Sequence, residues 1–423
     1  MLLNSFIFLN HQSSSEMPIA DEAHYISQAA MIGLEKRFVF IHDPPAFSVM
    51  ISLFQRISGF NFHLSQIINL VFSLFSIILV FALIQVLFKK KYLSLLASTL
   101  FVIAKTLLKT KYYYPIEASI FFSYLFILLL VITIKKKDYL LAAGSALVLG
   151  FILQLYSFEI AISLSLFMLF FKHFKDKKFI RKALVIITLV LLVSILPFVI
   201  LQKNTSEERI KEWGKWEPAY KIEPIPQNTL NPICLIHRLR CNEIGLKNIK
   251  TNYELHIYPI ITVHKNAQGL WKMNAFLLEI IVFFSLLSLL FIRSWKVMLL
   301  ILVTLPLIFT YILYEAAVEV DFYALTIFSL AILPLGIAGL NFLINMLNKK
   351  TKSKFKWIIL IVVSLIIITN LFMILSDYTN YQPDEEKIDI CAWWKSHFCF
   401  FPQETLLRNT CRQIAFNVCP DYS

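Results

Sequence analysis

Glycine is scarce, with 9 in 423 residues against 38 Phe, 17 Tyr and 7 Trp. That excludes collagen-like and disordered classes, which need glycine or charge where this chain carries aromatic bulk. Charge is scarce too. Asp, Glu, Lys and Arg make up 16% of the chain and hydrophobic residues 58%, so an ordinary water-soluble enzyme, with about 25% charge, is also excluded. Acids are the rarer sign, 27 Asp+Glu against 40 Lys+Arg, for a net charge of +13. Nearly half of the basic residues stand in five clusters between apolar runs: Lys89-Lys90-Lys91, Lys135-Lys136-Lys137, 172–182, 293–296 and 349–356, with Asp138 and Asp176 the acids among or beside them. Short Lys-rich loops between apolar stretches are the positive-inside pattern of a polytopic membrane protein. The expected partner of this charge is the lipid bilayer, and no nucleic acid is expected.

A crossing helix needs about 20 mostly apolar residues at about 1.5 Å rise each. Stretches 62–87, 92–108, 117–134, 139–156, 158–171, 183–201, 273–292, 297–314, 322–347 and 357–376 answer that description, some of them short. The expected fold is therefore an all-α polytopic membrane protein with about ten to eleven transmembrane helices. Placing the Lys-rich loops inside puts 11–61, 109–115, 157, 202–272, 315–321 and the tail from 377 outside. Residues 1–376 then form the transmembrane domain and 377–423 an extracytoplasmic tail. Segment 2–9 is apolar but too short to cross. It lacks the basic residues of a secretory signal and is expected to be an interfacial piece or the end of a helix lost at a late start.

Cysteine is absent from every apolar run and every Lys-rich loop. All six, Cys234, Cys241, Cys391, Cys399, Cys411 and Cys419, fall in 202–272 and 377–423, both assigned outside. That distribution reads as disulfides on an oxidising side, and a tail this small needs such cross-links because it can bury little core. A zinc site is the weaker reading, since no CxxC pair is present. Segment 202–272, with Pro218, Pro224, Pro226, Pro232 and Pro259, reads as an irregular cap on the membrane.

The chemistry-bearing residues gather in the outer loop 11–61. On a helix starting near Ala20, Asp21, His24, Tyr25 and Gln28 fall at i, i+3, i+4 and i+7, a single polar face. Pro44-Pro45 should start a second helix, which at 47–57 is too short to cross and would lie along the interface as an outer-face juxtamembrane helix. Asp21-Glu22 alone also suits a helix start, where acids satisfy free N–H groups. Three lysines stand out near the other end of a span. Lys105 lies within an apolar run, and Lys109 and Lys111 sit at its outer end. They can hold a phosphate or snorkel to headgroups, and Lys105 can pair with Glu117 or Glu159. Glu117 opens a span, which makes it a site acid or a charge on the helix dipole. Tyr112-Tyr113-Tyr114 fits an interface belt as well as a sugar platform.

Asp21-Glu22-Ala23-His24-Tyr25-Ile26-Ser27-Gln28-Ala29, followed by His42-Asp43-Pro44-Pro45-Ala46, resembles the first-loop motifs of the GT-C superfamily of membrane glycosyltransferases. The nearer likeness is to the branch holding protein O-mannosyltransferases and the lipid A aminoarabinose transferase. Tyr114-Pro115-Ile116-Glu117-Ala118 fits the place where that family has a second-loop acid, and Asp321-Phe322-Tyr323-Ala324-Leu325 to Pro334 partly matches a later motif without its basic residue. The family's full first span is missing here, which implies a truncated start.

The resemblance implies a GT-C-like fold and an enzyme of the cell envelope: a multi-pass protein of the inner membrane with its active site on the periplasmic side. Such an enzyme moves a sugar from a polyprenyl-phosphate donor to a hydroxyl of a lipid, glycan or protein acceptor, with inversion. Asp21, Glu22 and Glu117 are then the expected catalytic residues. His24, Tyr25, His42, Asp43, Lys105, Lys109, Lys111 and Tyr323 are the expected substrate-binding residues. No cofactor is required and no metal ligand is assigned, although a divalent ion near Asp21, His24, His42 and Asp43 stays open. The competing readings are a transporter or flippase, which usually shows glycine-broken spans and internal symmetry that are not evident here, and a non-catalytic membrane protein of the same fold.

Overall fold

The computed structural model of the chain describes residues 25, 29, 32, 46–58, 64–108, 116–155, 157–216, 253–266, 271–289, 294–313, 322–347 and 349–380; for 197–216 and 370–380 only the backbone course is described. All regular structure among the described residues is helical. In chain order the helices are α1 (Ala46–Ser58), α2 (Leu64–Phe88), α3 (Lys91–Leu107), α4 (Ile116–Lys136), α5 (Tyr139–Leu155), α6 (Phe167–His173), α7 (Lys177–Trp216), α8 (Tyr258–Ile261), α9 (Val263–Asn266), α10 (Trp271–Leu289), α11 (Trp295–Leu313), α12 (Phe322–Ile327), α13 (Leu333–Met346) and α14 (Lys349–Asn380). Two compact units divide the chain. One is Met1–Asp43, Ser48–Leu64 and Ile374–Ser423, and the other is Pro44–Phe47 and Ser65–Met373. Five helical stretches among the described residues are long and apolar enough to cross a membrane: Ile67–Phe88, Ile116–Lys136, Lys177–Leu196, Lys272–Leu289 and Ala324–Met346. Shorter apolar helices accompany them, and the whole is a multi-pass membrane protein.

The helices end where the sequence places charge rather than glycine. Lys89 and Lys137 adopt left-handed φ values of 57° and 56°, and their N–H groups close the last turns of α2 and α4 on Gln85 O and Thr133 O. A lysine in that conformation costs about 1–2 kcal/mol, partly offset by a cation beside the negative end of the helix dipole. At the following helix starts, Asp138 Oδ1 accepts from the Leu140 N–H at 2.8 Å, and Asp176 Oδ1 accepts from the Phe179 N–H at 3.1 Å. The two acids of the Lys-rich loops are therefore N-caps.

The five basic clusters meet at one end of the larger unit. Lys137 pairs with Asp176 at 2.7 Å, His173 Nε2 meets Ile134 O at 2.7 Å, and Lys90 donates to Asn345 Oδ1 at 2.7 Å. Lys172 lies over the Trp295 ring at 5.8 Å and Lys296 over the Phe88 ring at 5.9 Å. Lys352 of the fifth cluster is within electrostatic reach of Lys90.

Three sequence expectations change in the structure. Stretch 158–171 does not form one short α-helix: Ser157–Leu166 winds as a 3-10 helix before α6. At about 2.0 Å per residue for the first ten and about 1.5 Å for the rest, this segment extends about 30 Å, a full bilayer core. Stretch 322–347 is helical throughout but carries a π turn at Phe328–Ile332, just before Pro334, whose ring and missing N–H disrupt the regular ladder. The segment expected to be an irregular cap, 202–272, is helical where it is described at 202–216, because α7 continues to Trp216, and over most of 253–266. Residues 202–213 hold neither Gly nor Pro and are rich in Glu and Lys, good helix formers. The six cysteines lie outside the described residues.

Candidate functional site

In the smaller unit, Tyr25, Ala29 and Ile32 are helical and buried, at i, i+4 and i+7. Tyr25 is 2% exposed, so the one described residue of the expected polar face is packed inside the protein. Its carbonyl accepts a hydrogen bond from Ser48 Oγ at 3.1 Å, and Ile32 O accepts one from Arg56 Nη2 at 3.3 Å. Both donors belong to α1, which fixes α1 beside the segment that carries the acidic motif. α1 is inside-out. Ser48, Ser52 and Gln55 are buried at helical spacing, while Leu53, Phe54 and Ile57 are exposed, as suits a helix with its apolar side in lipid. Neither amide atom of the buried Gln55 has a hydrogen-bond partner among the described residues. The sequence reading missed Gln55. The signal was there in Ser48, Ser52 and Gln55, three polar residues at helical spacing within a mostly apolar helix. Asp21, Glu22, His24, His42 and Asp43 lie outside the described residues.

In the larger unit, α2, α3 and α4 enclose a charged cluster. The first half of α2 also turns polar residues inward, burying Ser65, Asn69, Ser73 and Ser76 and exposing Ile67, Val71, Phe75 and Ile78, while its second half buries Val80, Leu83, Ile84 and Leu87. Lys105, in the last turn of α3, reaches the Ser73 hydroxyl and stands 2.8 Å from Glu117 Oε1 in the first turn of α4. The two side chains are 7% and 1% exposed. The Phe101 ring centroid lies 5.6 Å from the ammonium. Glu117 Oε2 is buried and has no hydrogen-bond donor among the described residues, and the buried hydroxyls of Ser119 and Ser123 have no partner there either.

Of the partners that the sequence leaves open for Lys105, the structure brings up Glu117. The pair closes α3 onto α4 and thereby pins the two ends of 108–116, the connection that carries Lys109 and Lys111. It lies about 21 Å along α3 from Lys91, toward the end away from the basic clusters. Lys109 and Lys111 are outside the described residues. Tyr323 is in the first turn of α12, its side chain not described. Among the described residues, no three His, Cys, Asp or Glu side chains come together as a metal site.

The sequence matches no protein-family profile and no curated protein. The structure does have solved neighbours. An oligosaccharyltransferase of Archaeoglobus fulgidus, in complex with Zn and sulfate, superposes with a TM-score of 0.55 at 12% identity, over 94% of this chain and 55% of that one. The archaeal oligosaccharyltransferase AglB from Archaeoglobus fulgidus, in complex with an inhibitory peptide and a dolichol-phosphate, gives a TM-score of 0.53 at 13% identity, over 94% of this chain and 57% of that one. The apo form of the Archaeoglobus fulgidus enzyme gives 0.53 and 13%. The chain thus spans little more than half the length of these proteins. At such identity the likeness is one of fold alone.

Proposed function

We propose that this chain is a membrane glycosyltransferase that moves a sugar from a polyprenyl-phosphate donor to an acceptor hydroxyl on the extracytoplasmic face of the membrane. The observation that carries the proposal is the fold shared over 94% of the chain with AglB, whose structure holds a dolichol-phosphate. The first-loop motif adds to it, and so does the nearer resemblance to the O-mannosyltransferase and aminoarabinose-transferase branch.

An acceptor hydroxyl is a weak nucleophile near neutral pH and needs a carboxylate to take its proton. Asp21 has that role, with Glu22 orienting it. As the proton passes to Asp21, the acceptor oxygen bonds to the anomeric carbon and the bond from that carbon to the phosphate oxygen breaks. The lipid phosphate leaves with the electron pair. Attack opposite the leaving group inverts the anomeric centre. A phosphate leaves without a general acid, so the protein's other task is to hold its growing charge, which falls to Lys109 and Lys111. Glu117, held by Lys105, sets the connection that carries those two lysines, which makes the buried pair a positioning device. Tyr25 anchors the acidic segment against α1. His24, His42, Asp43 and Tyr323 are left for acceptor and sugar contacts. The chemistry written this way needs no cofactor.

Membranes carrying the wild-type chain and its Asp21→Ala variant, given polyprenyl-phosphate donor with a radiolabelled sugar, test the reading. The wild type should release polyprenyl phosphate and label an acceptor. The variant should fall by about 100-fold or more with its melting temperature unchanged. Equal turnover by the two would remove Asp21 from the chemistry.

A further inference from the structure

At the basic end, away from the Lys105–Glu117 pair, the ends of α2, α10, α11 and α13 enclose a cavity of about 230 Å³. Phe88, Ser288, Ser294, Lys296, Asn341 and Asn345 line it. The side-chain amide oxygen Oδ1 of Asn341 is shut off from solvent and has no hydrogen-bond partner among the described residues. Beside the cavity, three lysines from three separate clusters are held within electrostatic reach of one another: Lys89 and Lys296 both act on Lys135, and Lys89 acts on Lys296.

Two of the three are anchored through their side chains, and the third adjoins Phe88 in the chain. Lys135 donates to Val86 O, Lys296 lies over the Phe88 ring, and Lys89 is the left-handed cap of α2. None of the three forms an ion pair with a carboxylate among the described residues, where Asp138 caps the start of α5. Asp176, an acid of these loops, is taken by Lys137, and Lys90 is turned to Asn345. Like charges gathered this way repel unless an anion joins them. The neighbouring surface is apolar. On α10, the helix that supplies Ser288, Phe283 and Leu286 are exposed, and Met346 at the end of α13 is exposed too.

We propose that this cavity binds the headgroup of an anionic glycerophospholipid. Its phosphate meets Lys296, which lines the cavity, with the charges of Lys89 and Lys135 beside it, a headgroup hydroxyl donates to Asn341, and the acyl chains lie along the exposed face of α10. A phosphate ester supplies the missing negative charge, and charge-assisted bonds from several lysines are the strong kind. Basic pockets at helix ends on the positive side of a membrane protein are where such headgroups are held. The site is separate from the reaction proposed above and stands or falls without it.

The test uses the full chain purified in a neutral detergent, titrated with phosphatidylglycerol, phosphatidylcholine and inorganic phosphate. Binding is read by native mass spectrometry and by the melting temperature. Phosphatidylglycerol should bind saturably and raise the melting temperature, and phosphatidylcholine should not. Lys89→Gln and Lys296→Gln should each weaken phosphatidylglycerol by about fivefold. Asn341→Leu should weaken it as well, and Lys178→Gln, at an exposed lysine of the same end, should leave it unchanged. Lys296→Arg, which keeps the charge, should retain binding, and it carries the comparison if a Gln variant fails to fold. Equal binding of the two lipids, or full affinity in both Lys→Gln variants, would overturn the proposal. Inorganic phosphate stabilising as well as the lipid would overturn the lipid assignment.

Discussion

Lys105 and Glu117 face each other at 2.8 Å with almost no access to solvent. Removing one member of such a pair leaves a buried charge without its partner, at a cost of about 3–5 kcal/mol. Glu117→Gln and Lys105→Met should each lower unfolding stability by that order in purified protein. The double variant Lys105→Met/Glu117→Leu should recover most of the loss. Strictly additive losses would mean that the two do not act as a pair. The sequence marks both residues as charges in apolar helices and counts each among the other's candidate partners. Choosing between Glu117 and Glu159 depends on how α3 is rotated against its neighbours, which residue spacing does not encode.

Asp176 offers a pH test at the other end of the unit. The hydrogen bond from Lys137, and after it the Phe179 N–H, hold its carboxyl below the ordinary value. A carboxyl depressed on folding contributes stability that is complete above its unfolded-state pKa of about 3.9 and is lost as the pH falls through the lower folded value. The melting temperature of the wild type should therefore exceed that of Asp176→Asn at pH 6–7, and the gap should close below about pH 4. A gap that does not change with pH would point to the cap geometry alone.

Among the elements, α10 and α13 show where the few glycines are needed. A Cβ on Gly336 would stand 2.6 Å from Ile281 O, and one on Gly339 would meet the carbonyl of Phe284. Close approach of two membrane helices through small residues gains dispersion that larger side chains would prevent. Gly339→Ala should cost about 1–3 kcal/mol through overpacking. Gly144→Ala in α5 is the control: its added methyl would meet only Leu129 Cδ1 at 3.9 Å, so it should be neutral or gain about 0.4–1 kcal/mol. Equal effects at the two positions, followed by thermal unfolding, would argue against tight α10–α13 packing.

The order and approximate limits of these helices are legible from apolar runs between Lys clusters, because a helix in lipid must be both long and apolar. Their internal form is not. The 3-10 winding of Ser157–Leu166 and the π turn before Pro334 are choices among helices of similar local energy. Neighbouring elements decide them, and no single segment carries the information.

For the molecule as a whole, the meeting of five basic clusters at one end turns a charge count into an orientation. That end should face the cytoplasm. An impermeant amine reagent on intact cells should leave Lys136, Lys175 and Lys178, all exposed, unmodified and should reach them after permeabilisation, as read by peptide mass spectrometry. Labelling of these lysines in intact cells would reverse the orientation and move the proposed chemistry to the wrong side.

The sequence by itself determined the class of solvent, the helical architecture and the sidedness expected of it. Each of these follows from composition and from charge placed along the chain, quantities that add up without any knowledge of contacts. Only the tertiary structure decided that Lys105 takes Glu117, that α1 and α2 bury polar residues, and that lysines from three distant loops gather at the end where one of them, Lys296, lines a cavity. Those facts depend on the rotation and docking of helices that are far apart in the chain. The fold shared with an oligosaccharyltransferase at 12–13% identity has the same origin, since the packing persists where almost no residues are held in common.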